Sequence, residues 1–335
     1  MGDGRGCVCS EESAEGARDV WSSAPSAAAS ADHLVVMVHG ILGSMADWKF
    51  AADQFVKLFP DKVIVHCSER NAHRLTLDGV DVMGERLAEE VKEVISCRLG
   101  IRKISFIAHS VGGLVARYTI GKLYHPSVRN SLEEPSDGDH DVNSNGTIAG
   151  LEAMNFITVA TPHLGSRGNK QVPFLFGVAA FEKAATLVIH WIFKRTGRHL
   201  FLTDNDGGEA PLLQRMVNDC DDLYIVGWRT SSIRRNSELP EWEDSVSGKY
   251  PHIVYEEYSK GITECSDTAV VDDSSDELED ELIAGLTHLS WERVDVSFHT
   301  SRQRNAAHSV IQVKDALVHS EGADVIQHMI DHFLV

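Results

Sequence analysis

The sequence has few basic residues and no paired cysteine motif. Its 335 residues include 31 Lys and Arg against 50 Asp and Glu, a formal net charge of −19. So little positive charge cannot displace counterions from a phosphate backbone, and we expect no nucleic-acid partner. The six cysteines form no Cys-x-x-Cys pair. Their spacing excludes a small disulfide framework and is typical of reduced, intracellular usage.

The sequence also lacks an apolar run that is long and uncharged enough to span a membrane. The most apolar stretch, about residues 168–203, is interrupted by Glu182 and Lys183,. It predicts either core helices or a lid-like insertion over an apolar substrate site, with transient membrane-surface contact as a further option. Residues 1–31 contain no apolar segment of a signal peptide. We expect them to form a disordered tail on an intracellular, cytoplasmic protein whose membrane association is peripheral.

The histidines give no clear metal motif. His328 and His332 stand four residues apart on a predicted C-terminal helix, but no acidic partner completes a metal motif in the sequence,. We therefore predict no metal site.

Buried strands alternate with amphipathic helices through most of the chain. Runs of β-branched residues predict strands buried on both faces, at residues 33–40, 62–68, 103–110, 154–162 and 293–299,. Helical apolar spacing between them, as over residues 80–99, predicts a mostly parallel central sheet flanked by helices. This α/β domain spans residues 32–335 and includes an acidic loop at about residues 262–280.

The stretch "KISFIAHSVGGLVARY" (residues 103–118) has the form of a buried strand, a tight turn and a helix. Ser110 stands at the turn, with Ala108 and Gly112 two residues to either side. A nucleophile elbow needs small residues at these positions because the backbone folds sharply there, and its usual pattern is Gly-x-Ser-x-Gly. The pattern predicts that Ser110 is the nucleophile of a serine hydrolase. The alternative is a plain strand-to-helix turn.

Acyl transfer through Ser110 also requires two N–H groups that bind the oxyanion. We expect one from Val111, at the start of the helix. The other should come from the loop "VHGILGS" (residues 38–44), where glycines let the backbone approach the substrate,. Ile41 or Leu42 supplies this second N–H, and the sequence does not choose between them.

Five segments together carry a family resemblance: "VVMVHGILGSMADW", "AHSVGGLVARY", "TPHLGSRG", "VGWRTSSIRR" and "FHTSRQRNAAHS". In combination they resemble the lipase-like serine esterases of the α/β-hydrolase superfamily, most closely the plant members. The resemblance runs from about Leu34 to the C-terminus. It implies an α/β-hydrolase fold and a Ser–His–acid triad that acts on an ester or lipid.

Two histidines compete for the role of catalytic base. His299 directly follows the strand predicted at residues 293–299, whereas His308 lies in the loop beyond it. A loop can swing the imidazole over the serine, and the family pattern places its histidine in an Ala-His-Ser context like that of His308. We favour His308 and interpret His299 as a structural residue at a strand end.

The triad acid is the least defined member. The resemblance favours Asp222, which stands four residues before Val226 where the family pattern has three. Asp221 and Asp204 are the alternatives. Compared with the family, about one strand is missing from the sequence before Val226. Since the acid orients the imidazole, its loss can lower turnover by about 10⁴.

Two functional hypotheses remain. The first is a serine hydrolase that cleaves carboxylic esters, in particular lipid acyl esters, through an acyl-enzyme and without metal or organic cofactor. Acyltransfer and thioester hydrolysis need the same triad and stay open. The second is a shortened hydrolase-fold protein with weak or no activity that acts as a binding or regulatory module. We expect a lipid or other ester substrate and no stable protein partner.

Overall fold

The computed structural model describes residues 31–98, 100–126, 146–165, 193–205, 208–218, 233–235, 238, 240, 248–261 and 277–335. Three predicted segments therefore lie wholly or mostly outside the described residues: the N-terminal tail, the lid-like insertion and the acidic loop. None of the helices in the described ranges is long and apolar enough to cross a membrane.

The described strands are β1 (His33–Val38), β2 (Val63–Cys67), β3 (Lys103–His109), β4 (Tyr124–His125), β5 (Thr147–Ile148), β6 (Leu151–Val159), β7 (Ile253–Ser259) and β8 (Trp291–Val296). The helices are α1 (Lys49–Leu58), α2 (Val80–Ser96), α3 (Val111–Leu123), α4 (residues 193–200), α5 (Leu212–Asn218), α6 (Glu277–Leu286), α7 (Ala307–Val310) and α8 (Ala323–Asp331). Short 3₁₀ turns cover Met45–Trp48, His73–Leu77, Arg304–Ala306 and Ser320–Gly322.

The central sheet has the strand order β2-β1-β3-β6-β5-β4. Its first four strands are parallel, and the two-residue strands β5 and β4 add two antiparallel pairings at one edge. Val35 in β1 pairs with Val65 on one side and Ser105 on the other. The predicted mostly parallel sheet is confirmed.

Both faces of this sheet are covered, because successive side chains of a strand point to opposite faces. Val36 and Phe106 belong to one buried cluster, which includes apolar residues of α2 and α3. Val35 and Ile107 belong to the other, which includes residues of α1 and α8. Burial on both faces explains why these strands read as unbroken apolar runs in the sequence.

The late strand is displaced from its predicted place. Residues 291–296 do form β8, but this strand pairs antiparallel with β7 in a separate two-stranded sheet. The expectation that it extends the parallel sheet is therefore wrong in the part of the chain that the structure describes. The apolar face of this two-stranded sheet, called the β7–β8 hairpin below although α6 lies between its strands in the sequence, packs against α8 instead, where Ile253 and Val325 share a small buried cluster.

The described end of the lid-like stretch is attached to the N-terminus of α2. Thr196 Oγ1 accepts a hydrogen bond from the Gly79 N–H at 3.0 Å, and His199 Nδ1 accepts one from the Val80 N–H at 3.1 Å. These two donors are among the N–H groups that a helix start leaves without intrahelical partners. Helix α4 therefore caps α2 through buried side chains.

The cysteines differ in state. Cys67 is a free, buried thiol, and burial raises its pKa to about 12. Cys97 is disulfide-bonded, so the expectation of uniformly reduced cysteines is wrong at this position.

Candidate active site

Ser110 lies between the end of β3 and the start of α3, in the middle of the parallel sheet. Its backbone has φ 56° and ψ −134°, a region that side chains other than glycine rarely adopt. The turn is held by two backbone hydrogen bonds: Ser110 N–H donates to Val159 O at 2.9 Å, and Gly113 N–H donates to Ser110 O at 3.1 Å. The strained turn presents a serine at the carboxyl end of a buried strand.

Close contacts explain why the residues at positions 40 and 112, near Ser110, are glycines. A Cβ on Gly112 would stand 2.5 Å from the carbonyl oxygen of His39 and 2.7 Å from that of Val38, so α3 can pass over the end of β1 only with glycine there. A Cβ on Gly40 would stand 2.8 Å from the Cβ of Ser110. The loop after β1 and the turn after β3 thus touch each other through their glycines.

The loop after β1 distinguishes the two predicted oxyanion donors. The Leu42 N–H donates to Thr76 Oγ1 at 2.8 Å and is thereby committed to an internal contact. For the Ile41 N–H, the described residues supply no hydrogen-bond acceptor. Val111 is the first residue of α3, where the N–H group has no acceptor within the helix. The geometry therefore leaves Ile41 and Val111 as the available pair.

His308 lies in the short helix α7, beside the Ser110 turn. His109, the neighbour of Ser110, donates a hydrogen bond from Nε2 to the backbone carbonyl of His308 at 2.8 Å. The two imidazole rings are 4.4 Å apart between centroids. Since a carbonyl can only accept, the His109 proton is on Nε2. This bond ties α7 to the residue that precedes the serine.

Both of these histidines are held neutral. Burial, with the positive charge of Lys314, lowers the pKa of His308 to about 4. Burial lowers the pKa of His109 well below its ordinary value, and the neighbouring His308 adds to the effect. A neutral imidazole is the form that can accept a serine proton.

His299, the alternative base, lies in an exposed position after β8. Its Nδ1 lies 2.9 Å from the Ser297 hydroxyl, two residues before it. Its described contacts are local to the end of β8. His308, in contrast, is in contact with the β3–α3 turn.

Of the three candidate acids, the structure describes only Asp204. Asp204 contacts other groups: its Oδ2 accepts from the Leu212 N–H at 2.8 Å and is 3.7 Å from His199 Nε2. These contacts connect α4 with the N-terminus of α5. Asp221 and Asp222 lie outside the described residues, so their assignment stays a prediction.

The sequence reasoning did not identify His109 as part of this arrangement. The elbow pattern specifies only the small residues and the serine, and treats the position before the serine as variable. The hydrogen bond from His109 to His308 joins residues 199 positions apart, and nothing in the local pattern signals it.

A parallel sheet with helices on both faces, and a serine on a strained turn between a central strand and the following helix, define the α/β-hydrolase fold. The predicted fold class is confirmed by this topology.

The chain belongs to the family described as "Putative serine esterase (DUF676)", whose members match residues 28–232. This match confirms the predicted lipase-like serine esterase family.

Among curated proteins, the chain is similar to two from Saccharomyces cerevisiae, "Putative lipase ROG1" and "Putative lipase YDR444W". The first is 31% identical over 139 residues, 40% of this chain and 17% of the relative. The second is 26% identical over 170 residues, 48% of this chain and 22% of the relative. "Putative lipase C4A8.10" of Schizosaccharomyces pombe is 27% identical over 51% of this chain and 19% of its own length. The matches span less than a quarter of each relative.

Among solved structures, the chain is similar to the lipase BlEst2 of Bacillus licheniformis, with a TM-score of 0.32 and 20% identity over 51% of this chain and 55% of that one. It is also similar to the RedJ thioesterase of Streptomyces coelicolor, with a TM-score of 0.29 and 16% identity over 50% of this chain and 57% of that one. These scores are too low to transfer an activity.

Proposed function

We propose that the protein is a serine hydrolase that cleaves carboxylic esters, and that its substrates are lipid acyl esters. The observation that carries the proposal is the strained Ser110 turn, to which a neutral His308 is attached through His109. Strain at a non-glycine residue is stored where a site needs it and is otherwise costly, by about 1–3 kcal/mol. The family membership of the chain supports the same reaction class.

In the proposed reaction, Ser110 Oγ attacks the ester carbonyl carbon while His308 accepts the hydroxyl proton. The N–H groups of Val111 and Ile41 bind the oxyanion, and we drop Leu42 because its N–H already donates to Thr76. His308 then gives the proton to the leaving alcohol, and an acyl-enzyme remains. Water repeats the same steps and releases the acid. We propose Asp222 as the group that orients His308.

The lipid preference is supported by an apolar rim that we define as Leu42, Met45 and Leu75. Their exposed fractions are 51%, 37% and 45%. The two loops that carry the rim are joined where the His73 N–H donates to Gly43 O at 2.7 Å. Since Gly40 approaches Ser110 closely, the rim borders the proposed oxyanion loop. Exposed apolar side chains grouped in this way favour contact with acyl chains or with a membrane surface, as a transient association.

We expect the rim to matter for aggregated substrates. In the double variant Met45→Ser/Leu75→Ser, the hydrolysis rate on long-chain esters in micelles should fall several-fold, because less apolar area is available to the acyl chains. The rate on a dispersed short-chain ester should fall much less. Leu58→Ser is the matched control, since Leu58 is equally exposed, at 50%, but lies at the far end of α1. Equal losses on both substrates would contradict a lipid-contact role.

The reaction class is tested by covalent labelling with a fluorophosphonate probe, which reports an activated serine. Wild-type protein should be labelled, and His308→Ala should lose nearly all labelling because the Ser110 proton has no acceptor. Because the pKa of His308 is about 4, the neutral base predominates above that pH. Labelling should therefore persist at pH 5 to 6 and fall as the pH falls through about 4. His299→Ala serves as the control histidine and should retain labelling.

Absence of labelling in folded wild-type protein would overturn the hydrolase proposal. The second candidate function, a binding or regulatory module without activity, would then take its place. One observation favours that alternative: in the described residues β7 and β8 form a separate hairpin and do not extend the central sheet. Labelling that needs both Ser110 and His308 would exclude it.

A further inference from the structure

We propose that Glu292, His328 and His332 form a binding site for a divalent transition-metal ion of the zinc class, between α8 and the β7–β8 hairpin. One ligand atom from each of the three residues lies within 4.8 Å of the other two. Two imidazoles and a carboxylate are a donor set that Zn²⁺ takes in proteins, with a fourth position left for water. This site is independent of the proposed esterase function.

The secondary structure brings the three donors together. His328 lies in α8 and His332 is the C-cap residue just after its end, with its N–H bonded to His328 O; this four-residue spacing places both on one face of the helix. In the hairpin, Tyr258 pairs with Glu292 and Glu256 pairs with Val294. Side chains alternate between the faces of a strand, so both glutamates stand on the same face of the hairpin. The face with the two carboxylates meets the face with the two imidazoles.

The contacts hold the imidazoles in place before any ion binds. His328 is buried, with Nε2 2.8 Å from Glu256 Oε1 and its ring in edge contact with Tyr250 at 4.9 Å between centroids. His332 Nδ1 is 2.5 Å from Glu292 Oε1, and the two histidine rings are 4.0 Å apart. Ordered ligands lose less conformational entropy on binding. Glu256 lies outside the ligand set and contacts Nε2 of His328, as outer carboxylates commonly contact the ligating histidines of metal sites.

The site also has a structural consequence. Helix α8 packs on the central sheet through Ile326 and Ile330, whereas the hairpin has its own two-stranded sheet. A metal ion held by Glu292 of β8 and by both histidines of α8 would bind the hairpin to the body of the protein. We therefore expect metal binding to raise the melting temperature.

The test uses the full chain and Co²⁺, whose visible absorption reports four-coordinate nitrogen and oxygen ligands, with Zn²⁺ as competitor. Wild-type protein should bind one Co²⁺ that Zn²⁺ displaces. His332→Asn and Glu292→Gln should each lose more affinity than Glu256→Gln, for which a loss of about 10–100-fold is expected. Glu292 and His332 are exposed, so these variants should keep their fold, which circular dichroism checks.

The matched control is His252→Asn. His252 pairs with Asp324 of α8 at 2.9 Å and so also connects the residues next to the hairpin with α8. In the described residues, this pair belongs to no group of three potential ligands. If the His–Glu contacts are only structural, wild-type protein will bind no Co²⁺ and Zn²⁺ will not raise its melting temperature. Co²⁺ affinity that is equal in wild-type and His332→Asn protein would place the ion elsewhere and would also overturn the proposal.

Discussion

Replacing Ser110 with glycine is expected to abolish ester hydrolysis and fluorophosphonate labelling while making the protein more stable. Without the hydroxyl no acyl-enzyme can form, so turnover should fall by about 10⁴-fold or more. The backbone at φ 56° and ψ −134° is strained for serine and relaxed for glycine. Relief of this strain should raise the free energy of unfolding by about 1 kcal/mol, after the entropic cost of glycine.

The comparison variant is Ser110→Ala, which removes the same hydroxyl but keeps a Cβ and therefore the strain. Both variants should be inactive, and only the glycine variant should be stabilised, as chemical denaturation will measure. Residual turnover in both variants near the wild-type level would place the nucleophile elsewhere. Equal stability of the two would show that the turn stores no strain.

Removing the charge of Asp295 is expected to be the most damaging single change to stability. Arg234 Nη1 donates to both carboxylate oxygens of Asp295, at 3.2 and 2.9 Å. The two side chains are only 3% and 1% exposed. Loss of Asp295 leaves the buried guanidinium with the partly exposed Glu257 as its remaining counter-charge, and breaking a buried pair in this way typically costs about 3–5 kcal/mol. We expect Asp295→Ala to lower the free energy of unfolding by this amount in urea denaturation.

The matched control is Glu257→Gln. Glu257 contacts the same guanidinium at 2.6 Å, but its side chain is 36% exposed, so its loss should cost less than about 1 kcal/mol. The double variant Arg234→Met/Asp295→Leu should recover most of the stability, because it removes both buried charges together. Equal small losses for Asp295→Ala and Glu257→Gln would contradict a buried role for the pair.

The Arg234–Asp295 pair also has a place in the architecture. Arg234 follows the segment that contains the predicted triad acid, and Asp295 lies in β8. The pair thus connects the chain just after that segment to the hairpin. If Asp295→Ala also lowers the hydrolysis rate of the protein that remains folded, the hairpin helps to position the proposed site. An unchanged rate would limit the pair to stability.

Much of the fold was predictable because its signals are local. Continuous apolar strands and the 3.6-residue spacing of α2 depend only on neighbouring residues, and the observed strands at residues 33–38, 63–67, 103–109 and 151–159 agree with them,. The turn at Ser110 was equally predictable from the sequence. The glycine at position 112 is a direct consequence of how closely α3 approaches the end of β1.

The pairing of the late strand was not predictable in the same way. The run at residues 293–299 predicts a strand, but a strand's partner depends on which edges are available in three dimensions. The strand pairs antiparallel with β7, which is separated from it in the sequence by α6, so no local pattern identifies the partner. Its mixed burial pattern, with exposed Glu292 between buried Trp291 and Asp295, differs from the unbroken burial of β1 and β2.

The sequence by itself determined the α/β architecture, the family and the position of the candidate nucleophile, because these depend on short patterns of size and hydrophobicity. Only the tertiary structure showed that the Leu42 N–H donates to Thr76, the contact on which the proposal of Ile41 as oxyanion donor depends. Likewise, only the tertiary structure showed the hydrogen bond between His109 and His308 and the proximity of Glu292 to His328 and His332. Such contacts join residues far apart in the chain, and their distances are set by the packing of whole elements.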